Sequence, residues 1–217
     1  MWSKWTVISR KSPTVVLSSV MLFYLMGCVG AGGNRVDLAH DTLSTPKQRL
    51  SESIAMQKSA EDRRPAGEPI GHATMTLWAV ESGSVTTTDP VAEGVVMQVK
   101  QALESIGYQV TLVDSAHPVP NPSNILKVNI KEFNFKNYNG FWPIPIVPTW
   151  GSIELGLTIE NPAGKVLYEK SFRGGGNSYC LTGECAFGTA TKEAMTDVLN
   201  KIVEECSGEE FHHALET

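Results

Sequence analysis

The sequence has little of what announces chemistry. No C-x-x-C occurs in its 217 residues, no Ser stands in a nucleophile elbow, and no glycine-rich loop carries the Lys-Ser/Thr of a P-loop. Gly174-Gly175-Gly176 follows a strand pattern but lacks that Lys, so it reads as a flexible loop. The histidines, His40, His72, His117, His212 and His213, are scattered rather than spaced as metal ligands. Paired carboxylates such as Glu204-Glu205 and Glu209-Glu210 fall at a helix end or in the tail, where solvation accounts for them. No catalytic residue, metal site or cofactor is therefore predicted. The longest apolar stretch, Thr14 to Met26, has about 13 residues, short of the ~20 that span a hydrocarbon core.

Acid is missing from the first 27 residues, which hold Lys4, Arg10 and Lys11. Setting those three aside leaves 15 basic residues against 23 acidic, a charge of about −8 for the remainder. Such a chain has no electrostatic reason to seek phosphate backbones, and no basic stripe with interleaved aromatics appears. Nucleic-acid binding is excluded on that ground.

A basic n-region, the apolar Thr14–Met26 and then Leu25-Met26-Gly27-Cys28 form an export signal. The last four residues resemble the lipobox of bacterial lipoproteins, with Leu at −3, a small residue at −1 and the obligatory Cys. The resemblance implies that residues 1–27 are removed and that the Cys28 thiol carries a diacylglyceryl group. Met at −2 is a tolerated departure. Val29 stands where an Asp would favour inner-membrane retention in enteric-type bacteria, so the resemblance implies an outer-membrane, lipid-anchored, periplasm-facing protein. Several acyl chains anchor far more firmly than one, at about 0.8 kcal/mol per buried methylene.

Residues 28–69 are polar, contain no aromatic residue and show few large apolar residues at regular spacing. They read as a flexible tether with a transient helix around Leu50, Ile54 and Met56, reaching roughly 35 Å in root-mean-square terms. Residues 70–206 read as the folded domain. His72 to Val80 alternates as a strand. Asp89-Pro90 opens a helix whose stripe is Val91, Val95, Val99, Ala102, Leu103 and Ile106, closed by Gly107. Tyr108 to Val113 is a strand. Ile125 to Phe135 is another, with a phase shift that predicts a bulge near Lys131-Glu132. Ser152 to Glu160 and Lys165 to Phe172 flank the turn Asn161-Pro162-Ala163-Gly164, and Ala190 to Cys206 carries a helical stripe. Residues 207–217 read as a disordered tail. The expected fold is α+β: a two-layer sandwich in which a mostly antiparallel sheet of about five strands carries two helices on one face, in the order β-α-β-β-β-β-α.

That order resembles the YajG-like and related auxiliary or assembly lipoproteins of Gram-negative bacteria. The matching features are A-L-E-S-I-G-Y-Q-V after the first helix, the L-x-V-x-I strand, the hairpin with G-K-V-L-Y and the terminal helix. Lipoproteins of this build bind partners or ligands rather than carry out chemistry, so the resemblance implies a binding role.

Two segments lie outside the resemblance. Cys180 and Cys185 stand as C-L-T-G-E-C, with Cys206 at the end of the last helix. Periplasmic thiols are usually oxidised. A Cys180–Cys185 disulfide is the first expectation, and pairing of Cys206 with one of them is the alternative. The segment Tyr138 to Trp150 holds Tyr138, Phe141, Trp142, Ile144, Ile146 and Trp150 among Pro143, Pro145 and Pro148. Its prolines argue against a central strand. So apolar a loop either folds over the sheet as a lid, docks a protein partner, or touches a membrane interface. The expectation is a non-enzymatic outer-membrane lipoprotein that binds an envelope protein or other envelope component through the sheet and this segment. The alternative is a carrier of a small apolar ligand or lipid, with residues 138–150 as its lid.

Overall fold

The computed structural model describes residues 34–44, 52–75, 80–114, 124–139 and 146–216. The export signal and Cys28 lie outside the described residues, as do Phe141, Trp142 and Ile144. All described residues belong to one unit, Gly33–Thr217.

Its strands are β1 (Asn34–Val36), β2 (Ser53–Gln57), β3 (Glu61–Asp62), β4 (Gly71–Met75), β5 (Val80–Thr87), β6 (Gln109–Val113), β7 (Ile125–Asn139), β8 (Val147–Glu160) and β9 (Val166–Cys180). Its helices are α1 (Val91–Ser105), α2 (Gly183–Cys206) and α3 (Glu209–Glu216). The fold is α+β, but the sheet is mixed and nine-stranded, not a mostly antiparallel sheet of about five strands.

β7 is its spine. Along one edge β8 runs antiparallel from the Ile125–Glu160 pair to the Asn137–Thr149 pair, and β9 extends that ribbon antiparallel to β8. Along the other edge three short strands follow one another in series, all parallel to β7: β2 beside Ile125 and Leu126, β3 beside Asn129 and Ile130, and β4 beside Phe135 to Asn139. Parallel β6 borders β2; β5 borders β4 antiparallel, and β1 borders β5 parallel to it.

The expected tether therefore contributes three strands from residue 34 onward. Ile54 and Met56, which share no helical face, share one face of a strand, and both are fully buried. Residues beyond β1 also lie on the helices. The Asp41 N–H donates to Thr196 Oγ1 at 2.9 Å, and the Ser44 N–H to Asn200 Oδ1 at 2.7 Å. The expected disordered tail forms α3, which buries Phe211 edge-on to Tyr108 and Tyr168.

The bulge is where the phase shift put it, between Ile130 and Glu132. It lets Leu126, Val128 and Ile130 share the covered face with Phe133 and Phe135. The 161–164 turn also forms: the Gly164 N–H donates to the Asn161 carbonyl at 2.8 Å, with Gly164 at φ 76°. α1 starts at Val91 after Pro90 without a side-chain cap, and Gly107 beyond it has φ 106°. The expected strand 72–80 is instead two strands, β4 and β5, paired as a hairpin.

Gly174-Gly175-Gly176 is not a loop. It lies inside β9, opposite Ile153, Ser152 and Gly151 of β8. α2 crosses Gly174 and Gly176 so closely that an added Cβ would stand 2.2 Å from the Ala194 carbonyl oxygen at Gly174, and 1.9 Å from that of Ala190 at Gly176. Residues two apart on a strand and four apart on a helix repeat at nearly the same distance, about 6.7 and 6 Å. Two glycines thus meet two alanines in step.

Candidate contact surface at the aromatic end

α2 covers one face of the β7–β8–β9 ribbon, and the polar alternate of each strand lines the other. On that open face Arg173 Nη2 pairs with Glu132 Oε2 at 2.9 Å, and Ser152 Oγ donates to Glu132 Oε1 at 2.9 Å. Lys131 Nζ donates to Ser171 Oγ at 2.6 Å and Lys127 Nζ pairs with Glu160 Oε2 at 2.5 Å. Asn129 Nδ2 donates to Thr158 Oγ1 at 3.1 Å, which satisfies a side chain the ribbon buries. Near the β3 edge, burial alone would raise the Asp62 carboxyl. Hydrogen bonds and charge from Arg64 outweigh it and hold the group below its usual range.

At one end of this face the character changes. Tyr138 and Trp150 stack with ring centroids 4.9 Å apart and planes 17° from parallel. Tyr179 lies on the same face, since its neighbour Pro148 is one position from Thr149, the partner of Asn137. Ile146 precedes β8 and Leu181 follows β9. Six large apolar side chains are exposed among the described residues, and four of them are here: Ile146, Trp150, Tyr179 at 74% and Leu181 at 73%. β7 and β8 extend into the expected loop, which leaves only 140–145 between them outside the described residues. Pro148 is compatible with β8 because the pairing with β7 begins one residue later, at Thr149.

The Cys180–Cys185 disulfide sits beside this end, joining the last residue of β9 to the first turn of α2. Thr182 caps that turn, its Oγ1 accepting from the Cys185 N–H at 3.3 Å. Cys206, twenty-one residues on, is free and buried, and burial, with a smaller push from Glu205, raises its thiol well above the ordinary range. The odd thiol is therefore inert packing rather than a nucleophile.

Beneath the aromatic end, on the covered side, Asn137, Thr149 and Ser178 form a cross-strand row. Both polar atoms of Asn137 and the Thr149 hydroxyl are buried without a hydrogen-bond partner. At the opposite end, the Tyr108 hydroxyl donates to the Cys206 carbonyl at 2.7 Å, and His212 Nδ1 lies 2.9 Å from Glu52 Oε2. The first ties the start of β6 to the end of α2, and the second ties α3 to the start of β2. Among the described residues no group of three His, Cys, Asp or Glu is arranged to hold a metal, and no helix is long and apolar enough to cross a membrane.

Of the residues singled out in the sequence, the structure brings Tyr138, Ile146 and Trp150 to one end and pairs Cys180 with Cys185. Sequence reasoning missed Tyr179 and Leu181, which flank Cys180. It also missed three charged α2 residues on the outer edge of β9. The Gly175 N–H donates to Asp197 Oδ2 at 3.1 Å, the Asn177 N–H to Glu193 Oε2 at 2.7 Å, and Lys201 Nζ to the Arg173 carbonyl at 2.7 Å. Their i, i+4, i+8 spacing along α2 was the available signal. They occupy the groups through which an exposed strand edge would pair with another chain.

Fold and surface together define a two-layer α+β domain with a mixed sheet and an aromatic end. No family model matches the chain, and no curated protein matches it. Among solved structures it is similar to XCC0632 from Xanthomonas campestris, a protein of the family named DUF330. The two are 14% identical over 84% of this chain and 98% of that one, with a TM-score of 0.57. That likeness shows a shared fold. An uncharacterized protein, 11% identical over 82% of this chain and 98% of its own, has a TM-score of 0.32, too low to carry an argument.

Proposed function

We propose that this is a non-enzymatic lipoprotein of the bacterial outer membrane, anchored through Cys28 and facing the periplasm, whose aromatic end holds an envelope component. The lipobox-like Leu25-Met26-Gly27-Cys28 supports the anchor. The resemblance to YajG-like and related auxiliary or assembly lipoproteins supports a binding role. One observation carries the surface: among the described residues, four of the six exposed large apolar side chains gather where Tyr138 stacks on Trp150. Water-exposed apolar groups so concentrated are characteristic of contact sites.

Two measurements test the reading. Cys28→Ser abolishes incorporation of a clickable fatty acid and releases the protein from the outer-membrane fraction; label persisting on the variant refutes the anchor. Tyr138→Ser with Trp150→Ser removes contacts crosslinked from that end in intact cells while leaving the melting temperature nearly unchanged. A large loss of stability instead assigns the aromatic end to the core.

A further inference from the structure

The aromatic end is also the end from which the chain enters the fold. β4 and β5 pair antiparallel as far as Met75 and Val80, and Met75 is level with Asn139, the last residue of β7. β1 is parallel to β5, so it runs away from that end. Its first residue, Asn34, stands level with Val85, Gly71, Phe135, Gly151 and Gly176 across the sheet. That level is four residues, about 13 Å, from the row of Met75, Asn139 and Cys180. It is nine residues, about 30 Å, from Glu160 at the opposite end.

Five residues separate Cys28 from Asn34, and the six steps between the two span at most about 20 Å when extended. Cys28 itself can thus lie level with or beyond the aromatic end, and it falls short of the opposite end. We propose that Tyr138, Ile146, Trp150, Tyr179 and Leu181 rest in the interfacial layer of the same phospholipid bilayer that holds the Cys28 acyl chains. This rests on the anchor proposed above and names the envelope component: a lipid surface.

The chemistry fits that occupant. Tyr and Trp rings are amphipathic and settle at headgroup level, with aliphatic neighbours just below. Acyl chains supply one membrane signal, and the side chains add a second that fixes orientation. The mature chain is acidic, at about −8, so anionic headgroups offer no attraction and the contact is insensitive to salt. With the ribbon standing on its aromatic end, the polar open face points sideways into the periplasm.

The test uses the full acylated protein in phosphatidylcholine–phosphatidylethanolamine vesicles containing brominated phosphatidylcholine. Trp150 emission is the difference between the wild type and Trp150→Phe. Bromine near the headgroup end of the acyl chains quenches it about twofold at low and high salt, because interfacial rings sit at that depth. A second reporter, Val166→Trp, stands at the far end of β9 and stays unquenched. Flotation with the vesicles while Trp150 is unaffected overturns the proposal, leaves the anchor standing and turns the aromatic end toward a protein. Equal quenching at 150 and 166 also overturns it. Failure to float at all overturns the anchor and this proposal together.

Discussion

Replacing Gly176 with Ala adds one methyl group, and the structure says where it must go. Its Cβ would lie 1.9 Å from the Ala190 carbonyl oxygen and 2.8 Å from the Ala194 nitrogen. Both are helix backbone, so no side chain can swing aside. Ordinary contact is about 3.5–4 Å. α2 must therefore lift by roughly 1.5 Å, which loosens Phe187, Ala190 and Ala194 against the sheet and lengthens the Asn177–Glu193 hydrogen bond. Overpacking typically costs 1–3 kcal/mol, and a clash with backbone on both sides belongs at about the upper limit. The smaller conformational freedom of Ala in the unfolded chain offsets roughly 0.4–1 kcal/mol. A net loss of about 2–3 kcal/mol results, which lowers the melting temperature by roughly 4–12 °C for a domain of this size. Gly174→Ala, with Ala194 O at 2.2 Å and Val198 N at 2.6 Å, behaves similarly. Gly175→Ala is the internal control: its nearest neighbour is 4.0 Å away, so its stability changes by less than about 0.5 kcal/mol. Thermal and urea melts of the three variants decide the matter. If all three unfold together, the close crossing of α2 over β9 is wrong.

Three further outcomes are expected. Thr149→Val removes a buried hydroxyl that has no partner, keeps its shape, and stabilises the domain by about 1 kcal/mol in urea melts; destabilisation would show that the hydroxyl is bonded. Cys185→Ser opens the six-residue Cys180–Cys185 loop and costs about 2 kcal/mol, while Cys206 resists alkylation until the chain unfolds, as read by mass spectrometry. Burial raises the hydroxyls of Tyr108 and Tyr168 in the folded state, with Cys206 and Glu52 adding at Tyr108 and Glu205 at Tyr168. Their contribution is complete below the unfolded value near 10 and falls as pH rises past it, by about 1.4 kcal/mol per unit for each. Tyrosinate absorbance from these two should appear only with unfolding, and titration of both near pH 10 in the folded protein would refute their burial.

The legible parts of the fold were those with a long, regular period. Ile153, Leu155, Leu157 and Ile159 alternate without a break, the turn at Asn161–Gly164 carries its own chemistry, and the phase shift after Ile130 marks the bulge. β1 and β3, of three and two residues, are too short to show any period, and their place depends on distant partners. Ile54 and Met56 were weighed against a helical period when two was the right one. The glycines failed for a similar reason. Read alone they suggest freedom, and only the alanines fourteen to twenty residues on show that they provide space. At the candidate contact surface, Tyr138, Ile146 and Trp150 were visible as aromatic and aliphatic excess. Tyr179 and Leu181 were not, because nothing local says which side of β9 α2 will cover.

The spine arrangement has a consequence for the order in which the chain can assemble. β2, β3 and β4 all lean on β7, which follows them by some fifty to seventy residues, and Asp41 and Ser44 bond to α2 more than 150 residues later. A polypeptide that is made, or threaded through a translocon, N-terminus first presents β1 to β4 before any strand exists to receive them. The β7–β8–β9 ribbon and α2, by contrast, are contiguous in sequence and can close on one another as soon as they emerge. This topology favours a start in the C-terminal half, with the earlier segments added afterwards across large loops, which slows their addition. Until then Ile54, Met56 and Ile70, which the finished fold buries, remain in water, where a holding chaperone would find them.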